Sequence, residues 1–308
     1  MAPGRNVQIL LATYNGGRYL DGQLASLRRQ DCADRISLLI RDDGSTDDTV
    51  ARLERFDPGP LAITLMRGDN LGVTGCFQAL MTAADREAGC FLFCDQDDVW
   101  APGKVTAAVA ALPKSDEPAL YCGRSIITDA ALKPRGLTAA APRGPSFRNA
   151  LIQNIAPGHT MAFNRSLLDV AAQTFDPARA IMHDHWAYLL ASALGTVVFD
   201  SRPWAWYRTH GANQIGYESD PVSHLIGRAQ RVLSLDRGIY TRQVRAFVDS
   251  MGGLLPEPER ACAEAMVDQT TLAKREFFLR RYPLVHQDRL AQAVATILFL
   301  IGRYRDAG

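Results

Sequence analysis

Residues 91–100 read Phe91-Leu92-Phe93-Cys94-Asp95-Gln96-Asp97-Asp98-Val99-Trp100. An apolar run stops abruptly at three carboxylates, Asp95, Asp97 and Asp98. A short apolar run of this kind reads as a strand buried on both faces. Strand side chains alternate, so an extended path through residue 97 turns Asp95 and Asp97 to the same side. Two carboxylates in one small space repel, and one of them then holds a proton. A divalent cation removes that conflict. Oxygen ligands at a strand end suit Mg2+ or Mn2+, which bind through one or two carboxylates together with substrate phosphates. Taken alone, the stretch also reads as an acidic surface turn, and the flanking sequence has to decide.

Upstream, Val7 to Ala12 reads as a buried strand, and Thr13-Tyr14-Asn15-Gly16-Gly17 as a turn. Leu20, Leu24 and Leu27 give residues 19–29 helical spacing. A second strand, Ser37 to Arg41, ends at Asp42-Asp43-Gly44-Ser45, and Ser45 or Thr46 is placed to cap a helix running to Phe56. A third strand, Ile63 to Met66, runs into Gly68-Asp69-Asn70-Leu71-Gly72 and a helix over 74–84. Pro102 suits a helix start leading into Val105 to Ala111. Strand–helix alternation at this spacing predicts an α/β fold: a Rossmann-like, mostly parallel sheet flanked by helices. Ligands of such sheets bind outside the carboxyl ends of the strands. Here those ends carry Thr13 and Asn15, Asp42 and Asp43, Asn70 and Gly72, and Asp95 and Asp97, which describes one polar crevice. The sequence has neither a GxGxxG fingerprint nor a Walker lysine motif.

Downstream, residues 113–150 are richer in Pro, Gly and polar residues, with a strand near Tyr121 to Ile127. Gln153 to His159 is turn-rich and precedes a short strand, Thr160 to Phe163. Met182-His183-Asp184-His185-Trp186 opens a helix through Ala193, where Asp184 reads as a capping carboxylate or a functional one. Val197 to Phe199 is a further strand, and Trp204 to Asn213 is dense in aromatic and polar residues. From about Ser219 the alternation gives way to helical spacing, with thirteen Lys or Arg against nine Asp or Glu from residue 221 on, an excess of four positive charges. The expected organisation is a catalytic domain over 1–218, with a nucleotide half over about 1–112 and an acceptor half over 113–218, and a C-terminal helical appendage over 219–308.

A chain of 308 residues can bury a full core, and 47% hydrophobic with 22% charged residues is ordinary globular composition. A net charge of +1 gives no global argument for nucleic acid as a partner. The first residues contain no apolar signal region, and no stretch approaches the ~18 apolar residues of a membrane span. The six cysteines lack zinc spacing; Cys90 and Cys94 on one strand lie about 13 Å apart. His183 and His185 have no further ligand cluster to make a zinc site. A reducing, cytoplasmic compartment is expected.

Ala12-Thr13-Tyr14-Asn15, Asp42 to Asp47, Asn70-Leu71-Gly72, Cys94 to Trp100 and His183 to Trp186, in this order, resemble family 2 glycosyltransferases. The resemblance runs from Val7 to Asn213 and implies a GT-A fold that inverts the anomeric carbon. The Asp-Gln-Asp-Asp form, with Tyr207-Arg208-Thr209-His210-Gly211-Ala212-Asn213 downstream, resembles bacterial rhamnosyltransferases that use dTDP-rhamnose to build O-antigen or other cell-surface polysaccharide. Many such relatives have two tryptophans after the catalytic Asp, and here His185 takes the first place. The resemblance implies that Thr13, Tyr14 and Asn15 line the nucleotide, with Gln96 beside them, that Asp43 accepts from a pyrimidine N3–H, and that Asn70 lies near base or ribose. It implies that Asp95 holds the ribose or a metal-bound water, that Asp97 ligates Mg2+ or Mn2+ with His210 as a further ligand, that Asp184 is the base, and that Trp186 and His183 meet the acceptor.

The chemistry has its own logic. Moving a sugar off a nucleoside diphosphate requires a counter-charge for the departing diphosphate and a base for the acceptor hydroxyl. A UDP-sugar donor is the near alternative. A sugar nucleotidyltransferase would need cations for a triphosphate near the first strand, where Arg18 is the only candidate, and a non-catalytic nucleotide-sugar-binding protein would lack Asp184. The arginine-rich tail ending in Leu290 to Ile301 is expected to rest on the catalytic domain, on the second copy in a homodimer, or on the anionic inner face of the cytoplasmic membrane, where a lipid-linked acceptor would sit.

Overall fold

The computed structural model describes residues 6–32, 35–210 and 238–305. The chain runs β1 (Asn6–Thr13), α1 (Gly17–Arg28), β2 (Arg35–Asp42), α2 (Thr49–Arg55), β3 (Ala62–Arg67), α3 (Gly72–Ala83), β4 (Cys90–Cys94), β5 (Val99–Trp100), α4 (Lys104–Ala111), β6 (Ala119–Thr128), β7 (Pro134–Leu137), α5 (Phe147–Ala150), β8 (Ala162–Asn164), α6 (Arg165–Thr174), α7 (His183–Leu194) and β9 (Thr196–Arg208). Four helices follow: α8 (Ile239–Met251), α9 (Glu257–Val267), α10 (Leu272–Arg281) and α11 (Arg289–Leu300).

The strands form one sheet in the order β3-β2-β1-β4-β8-β6-β9-β5, with β7 on β6. Strands β1 to β4 are mutually parallel, as the strand–helix alternation requires. Beyond β4 the sheet is mixed: β6 and β9 pair in parallel, and the remaining pairs are antiparallel. Strand β8 is antiparallel to both β4 and β6, and β5 and β7 are antiparallel additions that the sequence pattern did not reveal. No crossover helix separates β6 from β8, so nothing forces that pair to run parallel. Helix α2 also starts later than expected: neither Ser45 nor Thr46 caps it, and the Asp47 carboxylate accepts from Thr49 N–H instead.

Strand β4 is buried on both faces because two cores meet there. Phe91 and Phe93 pack with α3, α6 and α7, whereas Cys90, Leu92 and Cys94 pack with Leu20, Leu24 and Leu27 of α1 and Val105 of α4. The period-2 alternation of the strand divides its side chains between those layers. The C-terminal helices do not build a core of their own. Val244, Phe247, Phe278 and Phe299 join the layer containing Phe77 and Trp186, and Phe278 stacks on Phe299. The expected boundary at 218/219 lies outside the described residues. All six cysteines are free thiols.

Candidate active site

The carboxyl ends of β1, β2, β4 and β9 meet the start of α7 at one crevice. The chain does not stay extended after Cys94. It bends at Gln96 and Asp97, so Asp97 does not continue the alternation begun at Asp95. Asp98 is the residue that joins Asp95. One ligand atom each of Asp95, Asp98 and His159 lies within 4.8 Å of the others. Strand pairing explains the third member. Cys90 faces Asn164, Phe91 faces Phe163 and Leu92 faces Ala162, and the 3-10 turn Gly158–Thr160 that leads into β8 packs against β4 and brings His159 to the end of the strand. Sequence reasoning missed Asp98 and His159 as site residues, because this register is not visible until β8 is known to lie beside β4.

Asp98 is completely buried. Its Oδ1 accepts from Arg208 N–H at 3.1 Å, while Oδ2 has no hydrogen-bond partner among the described residues. Burial, with the charges of Asp97 and Asp95 adding, holds its carboxyl well above the ordinary range. Burial also pushes Asp95 up to about 7, assisted by the charges of Asp97 and Asp184. His159 Nε2 lies 2.8 Å from Ser125 Oγ, which leaves Nδ1 turned toward Asp98 Oδ2 at 4.0 Å. Burial, with the charge of Lys104 adding, lowers the imidazole to about 3, so His159 is neutral and able to ligate. Asp97 takes the other side of the bend. Its Oδ2 accepts from His210 Nε2–H at 2.7 Å, and His210 stacks on Tyr19. Arg208 binds both arms, donating through Nε to Asp97 O at 2.8 Å while its guanidinium lies over the Tyr19 ring.

An orphaned buried carboxylate oxygen, a neutral imidazole and two further carboxylates make a hard, mixed O/N donor set, which fits a divalent ion such as Mn2+ or Mg2+. Asp95, Asp98 and His159 would hold it from inside, and Asp97 with His210 from the mouth.

The loops around this centre are tied down by side chains. Gln96 behaves like a strip of β-strand: its Oε1 accepts from Tyr14 N–H at 2.8 Å and its Nε2 donates to Tyr14 O at 2.9 Å. A methyl group on Gly16 would lie 2.0 Å from Gln96 Oε1, so this clamp explains why residue 16 is glycine. Asn15 adopts a left-handed backbone, φ 46°, and its Oδ1 accepts from Thr46 N–H at 2.8 Å. Tyr14 is 47% exposed at the crevice. Asn70 is exposed beside it, with Oδ1 accepting from Gly72 N–H.

Thr13 and Asp43 face differently from the expected nucleotide contacts. The Thr13 hydroxyl is buried and donates to Asp42 Oδ2 at 3.0 Å, tying β1 to the turn after β2. Asp43 is also buried. It pairs with the Arg41 guanidinium, and both its oxygens accept from Leu71 N–H at 3.0 Å.

Asp184 lies in the first turn of α7 and faces the end of β4 closely enough to raise Asp95. Its Oδ2 accepts from Gly158 N–H at 3.1 Å and its Oδ1 from His185 N–H at 2.6 Å. Burial raises its carboxyl above the ordinary range, and these N–H donors oppose the shift. His183 is buried, stacks on Phe77 at 3.9 Å, and its Nε2 lies beside Gly158 with no hydrogen-bond partner among the described residues. The placement of Trp186 against the acceptor is corrected by the structure. The indole is 1% exposed, packs edge-on to Phe175 and Phe247, and donates to Thr174 Oγ1. Helix periodicity turns residue 186 inward while residue 184 faces the crevice. His185 is likewise a core residue, with Nε2 2.6 Å from Ala150 O.

Comparison with known proteins agrees with this geometry. The model of the Glycosyl transferase family 2 domain matches residues 8–171. The chain belongs to this family. It is 29% identical over 220 residues to an uncharacterized glycosyltransferase of Nostoc sp., a match that covers 67% of this chain and 66% of that relative, just under two thirds of its length. It is 29% identical over 217 residues to the dTDP-rhamnosyl transferase RfbG of Shigella flexneri, covering 67% of this chain and 73% of RfbG. Among solved structures, S. aureus TarS 1-349 in complex with UDP-GlcNAc superposes with a TM-score of 0.63 at 14% identity, covering 97% of this chain and 89% of that one. The mannosyltransferase PcManGT from Pyrobaculum calidifontis, in complex with GDP-Man and Mn2+, gives a TM-score of 0.52 at 16% identity over 96% of this chain and 88% of that one. At these identities the family's solved members establish the GT-A fold of this chain.

Asp97 offers a check on the candidate cation site. Asp97→Ala should weaken Mn2+-dependent binding of dTDP by at least about tenfold in calorimetry, the scale of losses around a metal site. An unchanged affinity with unchanged metal dependence would remove Asp97 from the centre.

Proposed function

We propose that the chain is an inverting glycosyltransferase that moves L-rhamnose from dTDP-L-rhamnose onto a hydroxyl of a saccharide or lipid-linked saccharide in cell-surface polysaccharide synthesis. The observation that supports the reaction type is that Asp184, on a separate element, accepts from the N–H of Gly158, the residue next to His159 of the carboxylate cluster at the end of β4. An inverting displacement needs the acceptor oxygen in line with the leaving group, so base and diphosphate site must flank the anomeric carbon. Asp95, Asp98 and His159, with Asp97 and His210 at the mouth, would hold a divalent ion, which would supply counter-charge for the departing diphosphate. Asp184 accepts the acceptor proton. Two backbone N–H donors and the Asn154 side chain fix the carboxylate. Tyr14 and Asn70 stand at the nucleotide side. The likeness to the Shigella flexneri dTDP-rhamnosyl transferase supports rhamnose and dTDP.

We further propose a peripheral contact with the inner face of the cytoplasmic membrane. Leu290, Ile297 and Ile301 fall on one exposed face at the end of the chain, and the tail carries its excess of basic residues. No helix among the described residues is long and apolar enough to cross a membrane.

Each element of this reading has its own measurement. Asp184→Asn keeps the size of the side chain but cannot take a proton, so kcat should fall by about 10²- to 10⁴-fold with dTDP affinity nearly unchanged. Loss of nucleotide binding or of the fold would instead make Asp184 a structural cap. Because burial raises this carboxyl, and only its ionised form accepts a proton, the wild-type rate should be full above the raised pKa. It should decline as pH drops through that value, at a pH above the usual carboxylate range, and the limb should vanish in Asp184→Asn. Calorimetry with Mn2+ should rank dTDP above GDP. Tighter UDP binding would favour a UDP-sugar donor, and a purine preference would overturn the dTDP assignment. Finally, the protein should float with anionic liposomes at low salt, and failure to do so would place the tail against protein instead.

A further inference from the structure

Helix α8 reaches the catalytic side of the molecule through one buried amide. Gln243 is fully buried, on the second turn of α8. Its Oε1 accepts from Ile181 N–H at 2.6 Å and from Met182 N–H at 3.4 Å, and its Nε2 donates to Met182 O at 2.9 Å. Met182 is the residue at the N-cap of α7, and its side chain supplies no cap. Asp184 follows two residues later. The peptide that launches α7 is therefore held by a side chain more than fifty residues downstream in the chain, with α8 packed on the same helix through Tyr240 against His185 and Phe247 against Trp186. The far side of Asp184 is already fixed by Gly158 N–H.

We infer that Gln243 is a positioning residue for Asp184. It sets the backbone from which the carboxylate projects, so that Asp184 faces the end of β4. This makes α8 a working part of the acceptor side of the site. The inference rests on the proposed role of Asp184 as base. Misplacing a reacting group by about 1 Å costs up to about 10²-fold in rate.

The test uses the full chain with dTDP-L-rhamnose and water as acceptor, read as dTDP release, together with dTDP binding and hydrogen exchange. Gln243→Met keeps length and apolar packing but removes all three hydrogen bonds. It should speed amide exchange across residues 181–186 while leaving 91–100 unchanged, and lower kcat by about 10- to 100-fold at unchanged dTDP affinity. In an Asp184→Asn background the same substitution should lower kcat no further, because residues acting as a unit are not additive. Should Gln243→Met fail to fold, Gln243→Glu keeps the acceptor oxygen and should show the same pattern with a smaller loss. Unchanged exchange at 181–186 overturns the inference. So does a rate loss that persists in full in the Asp184→Asn background, because the clamp would then act on the fold rather than on the base. If Asp184→Asn alone leaves kcat intact, the base assignment itself is wrong, and the two failures are told apart.

Discussion

Carboxylate repulsion at the end of β4 is the constraint around which this molecule is built. Asp95, Asp97 and Asp98 follow a strand with no exposed face, and Asp184 approaches from α7. Unit charges about 4 Å apart in a medium of surface-like polarity repel by about 4 kcal/mol, a large share of the 5–15 kcal/mol that keeps a domain folded. The fold does not neutralise that cost by pairing every carboxylate. Arg208 donates to Asp98 and to the backbone of Asp97, yet Asp98 Oδ2 remains buried without a partner among the described residues. Proton uptake relieves part of the conflict, which is why burial and mutual repulsion hold Asp95 and Asp98 high. A divalent ion bound there would relieve the rest, and such an ion would also serve a departing diphosphate.

Precision around this charge comes from amide side chains acting as backbone. Gln96 pairs with the Tyr14 peptide at the end of β1, and Gln243 pairs with the Met182 peptide at the start of α7. Asn164 does similar work at the base of the sheet, accepting from Ala119 N–H and Leu167 N–H while donating to Glu117 O. Each places a loop without spending a strand on it. The Gln96 clamp thus belongs to the turn after β1, and the Gln243 clamp to α8.

Much of this was legible in the residues, for identifiable reasons. The apolar run Phe91–Cys94 could only be a doubly buried strand, and the strand–helix alternation through Ala111 required parallel neighbours and a shared polar edge. The place of Asp184 in the first turn of a helix was legible, while the sequence left open whether it caps that helix or serves the crevice. What escaped depended on register or on helix phase. Asp98 and His159 meet Asp95 only because β8 pairs antiparallel with β4 and because the chain bends at Gln96. Trp186 was assigned to the acceptor from its neighbour in sequence, but two residues on a helix is about 200°, which carries it into the core. Thr13 and Asp43 sit at the right strand ends, yet their side chains serve the junction of β1, β2 and α3.

The central claim is that the cluster after β4 is the seat of the diphosphate-bound cation, with Asp184 across from it. Crystals grown with dTDP and Mn2+, measured at the manganese absorption edge, test this most directly. The account predicts one anomalous peak within ligand distance of Asp97 and of at least one of Asp95, Asp98, His159 or His210, with the diphosphate oxygens on the side facing Asp184. A nucleotide bound in the crevice with manganese absent from these residues, or manganese bound elsewhere on the chain, would contradict it.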